Sequence, residues 1–241
     1  MEITYVLYLL LIGIGAGFVQ RVSGFGLGIF AMLFLPHFMP THTAASAIST
    51  LITCGITGYN AIKYKNHIPY KTTLPLACAA LITIPIAVYF SVRIPAEIFK
   101  AILGVVLICL SIYFLFFTNR VKVKPTIRNG LLAGGIGGTL TGLFSTGGPP
   151  VVLYLTHATN SNTAYFAGIQ FYFCLTSIYA TIIRIINKIF TPELFVYALI
   201  GFVGCLIGNA LGTLVFDRLD GKKLKKIIYI GMIISGVLMI L

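Results

Sequence analysis

TGLFSTGGPPVV (141–152) lies inside a stretch that is otherwise almost entirely apolar. Two glycines followed by two prolines should interrupt any helix there, because glycine costs backbone entropy and proline removes an amide hydrogen. A second apolar stretch is interrupted in a similar way at SGFGLG (23–28). Both breakers stand where a membrane span would otherwise run, so they decide how the chain can cross a bilayer.

The composition is that of a membrane protein. Of the 241 residues, 58% are hydrophobic and only 9% are charged, whereas a soluble domain carries roughly 25% charged residues. So few charges cannot cover a surface that faces water. We therefore predict an all-α integral membrane protein with no separate soluble domain. The first apolar run lacks an obvious cleavage site of small residues, so we expect it to be mature structure rather than a signal peptide.

The basic residues give a net charge of +12 and fall in short clusters between apolar runs. This distribution is typical of cytoplasmic loops under the positive-inside rule and argues against a nucleic-acid partner. We expect a multi-pass protein of the plasma membrane whose partners are the lipid bilayer and a small anionic substrate, and the sequence leaves homo-oligomerisation open. The clusters are Lys63, Lys65 and Lys71; Arg120, Lys122, Lys124 and Arg128; and Lys222, Lys223, Lys225 and Lys226.

Several apolar runs are long enough to cross a bilayer, which takes roughly 20 residues of helix. The two interrupted regions, 5–39 and 129–158, instead have arms of about 16 and about 10 residues, which reach roughly 24 Å and 15 Å. Since the shorter arm cannot cross a hydrocarbon core of about 30 Å, we predict a re-entrant hairpin, or two short helices that meet inside the membrane. The uninterrupted runs lie at about 42–62, 72–92, 98–118, 164–187, 193–216 and 226–241.

The two broken regions begin two similar halves of the chain. Each broken or re-entrant helix pair is followed by three predicted transmembrane helices. Setting Thr43 against Thr163 aligns Cys54 with Cys174, and the SGFGLG break then corresponds to the STGGPP break. Chance identities are common in apolar sequence, so the shared order of segments is the stronger argument for an internal repeat.

The charges predict that the two halves are inverted. The loop at 63–71 is basic and therefore cytoplasmic, whereas its counterpart at 188–192 falls outside, as do both termini. We divide the single membrane domain into a first inverted repeat (1–118), a cytoplasmic linker (119–128) and a second inverted repeat (129–241). Inverted repeats with broken helices are typical of secondary transporters, whose substrate site lies near the midplane between the repeats.

Each break should start a short helix inside the membrane. The prolines suit the first turn of a helix, and the glycines let a ligand approach the backbone. The free N–H groups and the positive end of the helix dipole would face the midplane, and two such ends would bind an anion. The predicted substrate-binding residues are Ser23, Gly24, Phe25, Gly26, Ser145, Thr146, Gly147, Gly148, Pro149 and Pro150.

The segments SGFGLGIFAMLFLP (23–36) and TGLFSTGGPPVVLYL (141–155) resemble the paired motifs of the TauE/SafE family of sulfite and organosulfonate exporters. The resemblance extends over nearly the whole chain and includes the arrangement in two halves. It implies a permease that moves sulfur-containing anions, such as sulfite, sulfoacetate or related sulfonates, mostly outward.

Five further residues are candidate substrate contacts: Gln20, Arg21, Cys54, Gln170 and Cys174. Arg21 either meets an anion near the midplane, if the first arm stops midway, or anchors the chain at the cytoplasmic face, if that arm crosses fully. Gln170 either binds a substrate oxygen or hydrogen-bonds another helix. The matched cysteines either handle a sulfur compound or are small buried apolar side chains.

The sequence predicts no enzyme, no metal site and no cofactor. The cysteines form no CxxC or His/Cys ligand spacing, and no HExxH or GxSxG pattern supplies catalytic groups. The acidic residues fall at the ends of spans, which disfavours a cation transporter. Because an inside-negative potential drives anions outward by about 2.3 kcal/mol per charge per 100 mV, we predict export by alternating access. A passive anion channel and an uptake carrier remain alternatives.

The inversion can be tested with single cysteines placed in the two corresponding loops. A membrane-impermeant maleimide added to intact cells should label a Thr191→Cys variant and leave an Asn66→Cys variant unlabelled until the membrane is broken. Labelling of both variants from the same side would contradict the inversion. The parent chain, whose cysteines all lie in apolar runs, gives the background signal.

Overall fold

The computed structural model describes residues 3–117, 123–215 and 221–240, and within these ranges the secondary structure is helical with no strand. The predicted all-α class is confirmed. The start of the predicted linker, much of the last lysine-rich loop and the side chain of Ser23 lie outside the described part. The helices are α1 (Ile3–Ser23), α2 (Leu27–Phe38), α3 (His42–Lys63), α4 (Tyr70–Ser91), α5 (Ala96–Ile112), α6 (Ile127–Phe144), α7 (Gly148–Ala158), α8 (Asn162–Ile186), α9 (Pro192–Val215) and α10 (Gly221–Ile240), with a 3-10 turn at Lys65–His67 and a π-helical turn at Tyr113–Phe117.

The helices α1, α4, α5, α8 and α9 are long and apolar enough to cross a membrane. The helix α3 has 22 residues and matches the predicted run at 42–62, but its buried face carries several Ser and Thr side chains, which make it less apolar than the others. A helix of this kind is stable in a bilayer only when its polar face packs against protein. The helix α3 therefore belongs to the interior of the bundle.

The first arm of each broken region is longer than predicted. The helices α1 and α6 have 21 and 18 residues, which correspond to about 31 Å and 27 Å. The helix α1 continues through Arg21, because no residue before Gly24 has a backbone that departs from the helix. The second arms, α2 and α7, have 12 and 11 residues and are short as expected.

Left-handed backbone conformations produce both breaks. Gly24 and Gly26 have φ angles of 78° and 104° between α1 and α2, and glycine adopts such angles without a steric penalty. Ser145 has a φ of 60° at the end of α6, a common way to end a helix. The prolines that follow, Pro149 and Pro150, occupy the first turn of α7.

The packing of the two halves is preserved when the halves are exchanged. The helix α1 packs along α9 and α6 correspondingly packs along α4, while α3 and α5 pack against their own counterparts, α8 and α10. The helices α3 and α8 run antiparallel, since Thr50 lies beside Arg184 and Asn60 lies beside Gln170. An axis in the membrane plane would relate the halves in this way. The inversion relative to a membrane stays a prediction, as does the division at 118 and 128.

Glycines let α6 lie directly against α4. A Cβ atom on Gly134 would overlap the carbonyl oxygen of Leu76, and one on Gly138 would overlap Ala80 and the Thr83 hydroxyl. Because backbone meets backbone here, the position of α6 is fixed along most of its length. This contact sets the depth at which the second break occurs.

Replacing Gly134 by alanine should therefore destabilise the protein. Overpacking of a well-packed contact typically costs about 1–3 kcal/mol, which thermal unfolding of the purified protein in detergent would detect. The neighbouring Gly135→Ala variant is the matched control, since its Cβ would meet only the Thr83 methyl group at 3.9 Å. Equal unfolding temperatures for the two variants would contradict the proposed backbone contact.

Candidate anion-binding site

The two breaks, far apart in sequence, touch each other in the structure. A Cβ atom on Gly28, in the first turn of α2, would overlap the carbonyl oxygen of Ser145. A Cβ atom on Gly148, at the start of α7, would lie 3.5 Å from the ring of Phe25. The start of each short helix thus packs against the break of the other half.

The breaks lie at the level of the middle of α3 and α8. Thr53 of α3 and Phe173 and Ser177 of α8 line the same cavity as the breaks, and all three are several turns from the ends of their helices. A region at this depth in two long helices is far from either end of the bundle. The geometry agrees with the expectation that irregular backbone at membrane depth is buried in protein or lines a cavity.

The cavity between the breaks is small, and its lining combines apolar side chains with hydroxyl, amide and backbone groups. Its volume is about 20 Å³, which is room for little more than one water molecule, since a water needs roughly 10–15 Å³. A larger solute therefore requires the surrounding helices to separate. The lining consists of Gln20, Gly26, Leu27, Gly28, Ile29, Thr53, Thr141, Ser145, Thr146, Gly147, Gly148, Phe173 and Ser177.

The Thr146 hydroxyl in this lining is buried without a hydrogen-bond partner. The residue is 2% exposed and its Oγ1 atom has no hydrogen-bond partner. A buried hydroxyl without a partner costs about 1–3 kcal/mol. A cost of this size at the wall of a cavity is explained if a bound solute accepts the missing hydrogen bond.

Neutral amides hold the first break. The Gln20 side chain accepts from Leu27 N at 3.2 Å and so caps the start of α2. The Gly24 carbonyl accepts from Gln20 at 3.4 Å and from Gln170 at 3.1 Å, and Asn60 donates to Gln170 at 3.4 Å. Gln170, predicted as either a substrate contact or a link between helices, therefore joins α8 to the first break and to α3.

A buried arginine holds the second break. Arg184 is 1% exposed and donates to the Thr50 hydroxyl and to the carbonyls of Thr141 and Gly142, the latter two at 3.2 Å and 2.9 Å. The Thr50 hydroxyl, which also donates to the Ser46 carbonyl at 2.7 Å, lies within hydrogen-bond distance of Ser145 Oγ at 3.0 Å. A chain of hydrogen bonds thus connects a buried cation to the lining of the cavity.

The structure places the other predicted residues around this cavity rather than in its lining. The Phe25 ring packs against Phe114 at 5.4 Å between centroids. Arg21 packs against Gly212 near the end of α9, and its Nε atom is buried without a hydrogen-bond partner, so its role as an anchor or as an anion contact stays a prediction. Gly24 completes the first break and the prolines start α7. Cys54 and Cys174 are half-buried free thiols outside the lining.

The family model described as Sulfite exporter TauE/SafE matches residues 9–239 of this chain. The chain belongs to the TauE/SafE sulfite exporter family. The predicted resemblance is confirmed, and with it a membrane transporter of sulfur-containing anions. Comparison with curated proteins and with solved structures found no match.

Sequence reasoning missed several residues of this TauE/SafE site. Arg184 lies two residues before the end of α8, a position from which an arginine usually reaches the membrane surface, so the sequence gives no signal of its burial. The hydroxyls of α3 gave a clearer signal, because they recur at helical spacing on one face. They are Ser46, Ser49, Thr50, Thr53 and Thr57, and all five are buried.

The charged groups of this site suit an anion. Glu97 and Glu193, the carboxylates of the described residues, are both exposed. Within the described ranges no cluster of His, Cys, Asp and Glu could hold a metal ion. The polar atoms that face the cavity therefore come from hydroxyls, amides and backbone, backed by the guanidinium of Arg184.

A Gly28→Ala variant tests the contact between the breaks. The added methyl group would overlap the Ser145 carbonyl, so the two helix starts must separate and anion binding should fall by at least about tenfold, as expected for strain on the order of 1–3 kcal/mol. Binding would be measured on folded protein by anion-induced thermal stabilisation.

The matched control is Gly58→Ala, whose Cβ would lie at an ordinary 3.9 Å from Cys174 Sγ. Unchanged binding in Gly28→Ala would show that the contact between the breaks has no part in the site.

Proposed function

We propose that this protein exports small sulfur-containing anions, such as sulfite, sulfoacetate or related sulfonates, across the plasma membrane by alternating access. One observation carries the proposal: the helix starts of both halves meet at a small cavity whose Thr146 hydroxyl is buried without a partner. Membership of the TauE/SafE family supports the substrate class. The depth of the cavity and its small volume support a carrier, because a continuous pore would be wider at this point.

Hydroxyls rather than amides would provide most of the recognition. Pro149 and Pro150 have no amide hydrogen, so they remove two of the donors that a helix start normally offers. At the other helix start, Gln20 already accepts from Leu27 N. The hydroxyls of Ser145 and Thr146, together with the amide of Gly148, are then the donors best placed for a sulfonate or sulfite oxygen.

The contact between the two hairpins supports alternating access. The α1–α2 hairpin and the α6–α7 hairpin contact each other at their breaks, and the long helices α3 and α8 run antiparallel beside them. Rocking one half against the other would open the cavity toward one side at a time. The membrane potential would bias the cycle outward for an anion by about 2.3 kcal/mol per charge per 100 mV.

Sulfite efflux from proteoliposomes tests this function. Efflux should saturate with internal sulfite and accelerate with sulfite outside, because a carrier exchanges its substrate across both states. A rate that rises linearly with concentration and shows no exchange would indicate a passive channel. Rates that match protein-free vesicles would contradict transport of sulfite.

Replacing Thr146 by valine separates a binding role from a packing role. Removal of a buried hydroxyl that has no partner should raise the free energy of unfolding, by about 1–2 kcal/mol, while sulfite efflux should fall by about tenfold or more, as for loss of one hydrogen bond to a charged group. Thermal unfolding and efflux would be measured on the same preparation.

The matched control is Thr73→Val, since Thr73 is equally buried but its hydroxyl donates to the Pro69 carbonyl at 3.1 Å. That variant should be slightly less stable and should transport normally. Full transport by the Thr146→Val variant would remove this hydroxyl from the substrate site.

A further inference from the structure

A broken helix brings two opposite dipole ends together. The start of α7 carries the positive end of its helix dipole, but the end of α6 carries the negative end of another, about half a charge each. Thr141, in the last turn of α6, lines the same cavity as Gly148 at the start of α7. The carbonyl groups of α6 would repel the anion that α7 attracts, unless another group screens them.

Arg184 stands at this end of α6. Its guanidinium donates to the carbonyls of Thr141 and Gly142 and to the Thr50 hydroxyl. A charge buried without an acidic partner is costly, and within a membrane protein it marks a functional position by default. The carboxylates of the described residues are exposed, so none of them neutralises Arg184.

At the first break, neutral side chains bond the exposed carbonyl group instead of a cation. The neutral amides of Gln20 and Gln170 serve its exposed carbonyl at Gly24. The cation in the last turn of α1, Arg21, packs against Gly212 of α9 and is absent from the cavity lining among the described residues. Among the described residues, Arg184 is therefore the cation that hydrogen bonds connect to the cavity lining.

We propose that Arg184 is the residue that sets the preference of this site for anions, and for divalent over monovalent ones. It acts without touching the solute: it screens the carbonyl end of α6 and adds a full positive charge, connected to the cavity through Thr50 and Ser145. Arg184 is thus a positioning and selectivity residue. The inference rests on the proposed function, because it concerns the same cavity.

Loss of the Arg184 charge should lower the affinity of the site by a factor that depends on the charge of the bound anion. A unit charge that acts over roughly 10 Å at an effective dielectric constant of about 20 changes the affinity for a monovalent anion by roughly tenfold. Coulomb energy is proportional to the charge of the solute, so the factor for a divalent anion is roughly the square, about a hundredfold. A role limited to helix packing would change both affinities by one common factor.

The test compares Arg184→Gln with Arg184→Lys in the purified full-length protein. Dissociation constants would be measured for sulfite in alkaline buffer, where it is a dianion, and for the monoanion methanesulfonate. We expect Arg184→Gln to weaken the binding of methanesulfonate about tenfold and that of sulfite about a hundredfold. The Arg184→Lys variant should keep most of the affinity for both anions. Equal losses for the two anions, or a lysine variant no better than glutamine, would overturn the inference.

A second variant covers the case in which Arg184→Gln does not fold. Thr181 is buried on α8, one turn before Arg184, and its hydroxyl has no partner. A Thr181→Asp substitution places a carboxylate beside Arg184 and neutralises the charge while keeping every guanidinium donor. The same larger loss for sulfite than for methanesulfonate is expected, and an unchanged ratio of the two constants would contradict the inference.

Arg93→Gln is the matched control for the removal of a cation. Arg93 is exposed and donates to the Tyr89 carbonyl at the end of α4, so the same chemistry is removed away from the cavity, and both affinities should stay unchanged. A parent protein that binds neither anion would refute the proposed function itself. If the parent protein binds both anions and the Arg184 and Thr181 variants bind them with the same affinities, only the role of Arg184 is refuted.

Discussion

A backbone that breaks inside a membrane must satisfy its own polar groups, because no water is available there to do so. Much of the interior of this protein follows from that constraint. The Gly24 carbonyl is bonded by two glutamine side chains, and the Leu27 amide by one of them. At the second break the carbonyls of Thr141 and Gly142 are bonded by Arg184. Both breaks are therefore held by side chains from distant parts of the sequence.

The same constraint explains why α3 and α8 are polar where they face the breaks. Half of their buried hydroxyls bond a carbonyl one turn earlier in their own helix, as Thr53 and Thr57 do at 2.8 Å and 2.7 Å, which makes them acceptable at membrane depth. Thr50 differs because it also reaches Ser145 across the interface. The polar face of α3 is thus the face that supports the breaks.

The helices of each half support the break of the other half. Each half supplies one break, and a helix of the other half braces it: Gln170 of α8 reaches the first break and Thr50 of α3 reaches the second. A movement of one half against the other therefore changes both braces together. Since the cavity in the described conformation holds little more than one water, a sulfur oxyanion does not fit there unless the helices around it separate.

The sequence by itself determined the membrane class, most helix bounds and the location of both breaks, because glycine, proline and long apolar runs act through local backbone geometry and solvation. It also indicated the pairing of the two motifs, since the order of segments repeats. Only the tertiary structure decided that Arg184, Asn60, Thr53 and Ser177 surround the site. These residues are ordinary in their own helices, and their role arises from the antiparallel packing of α3 and α8, which brings positions more than a hundred residues apart to the same depth. Local sequence carries no signal of that register, because it results from the summed packing of the whole bundle.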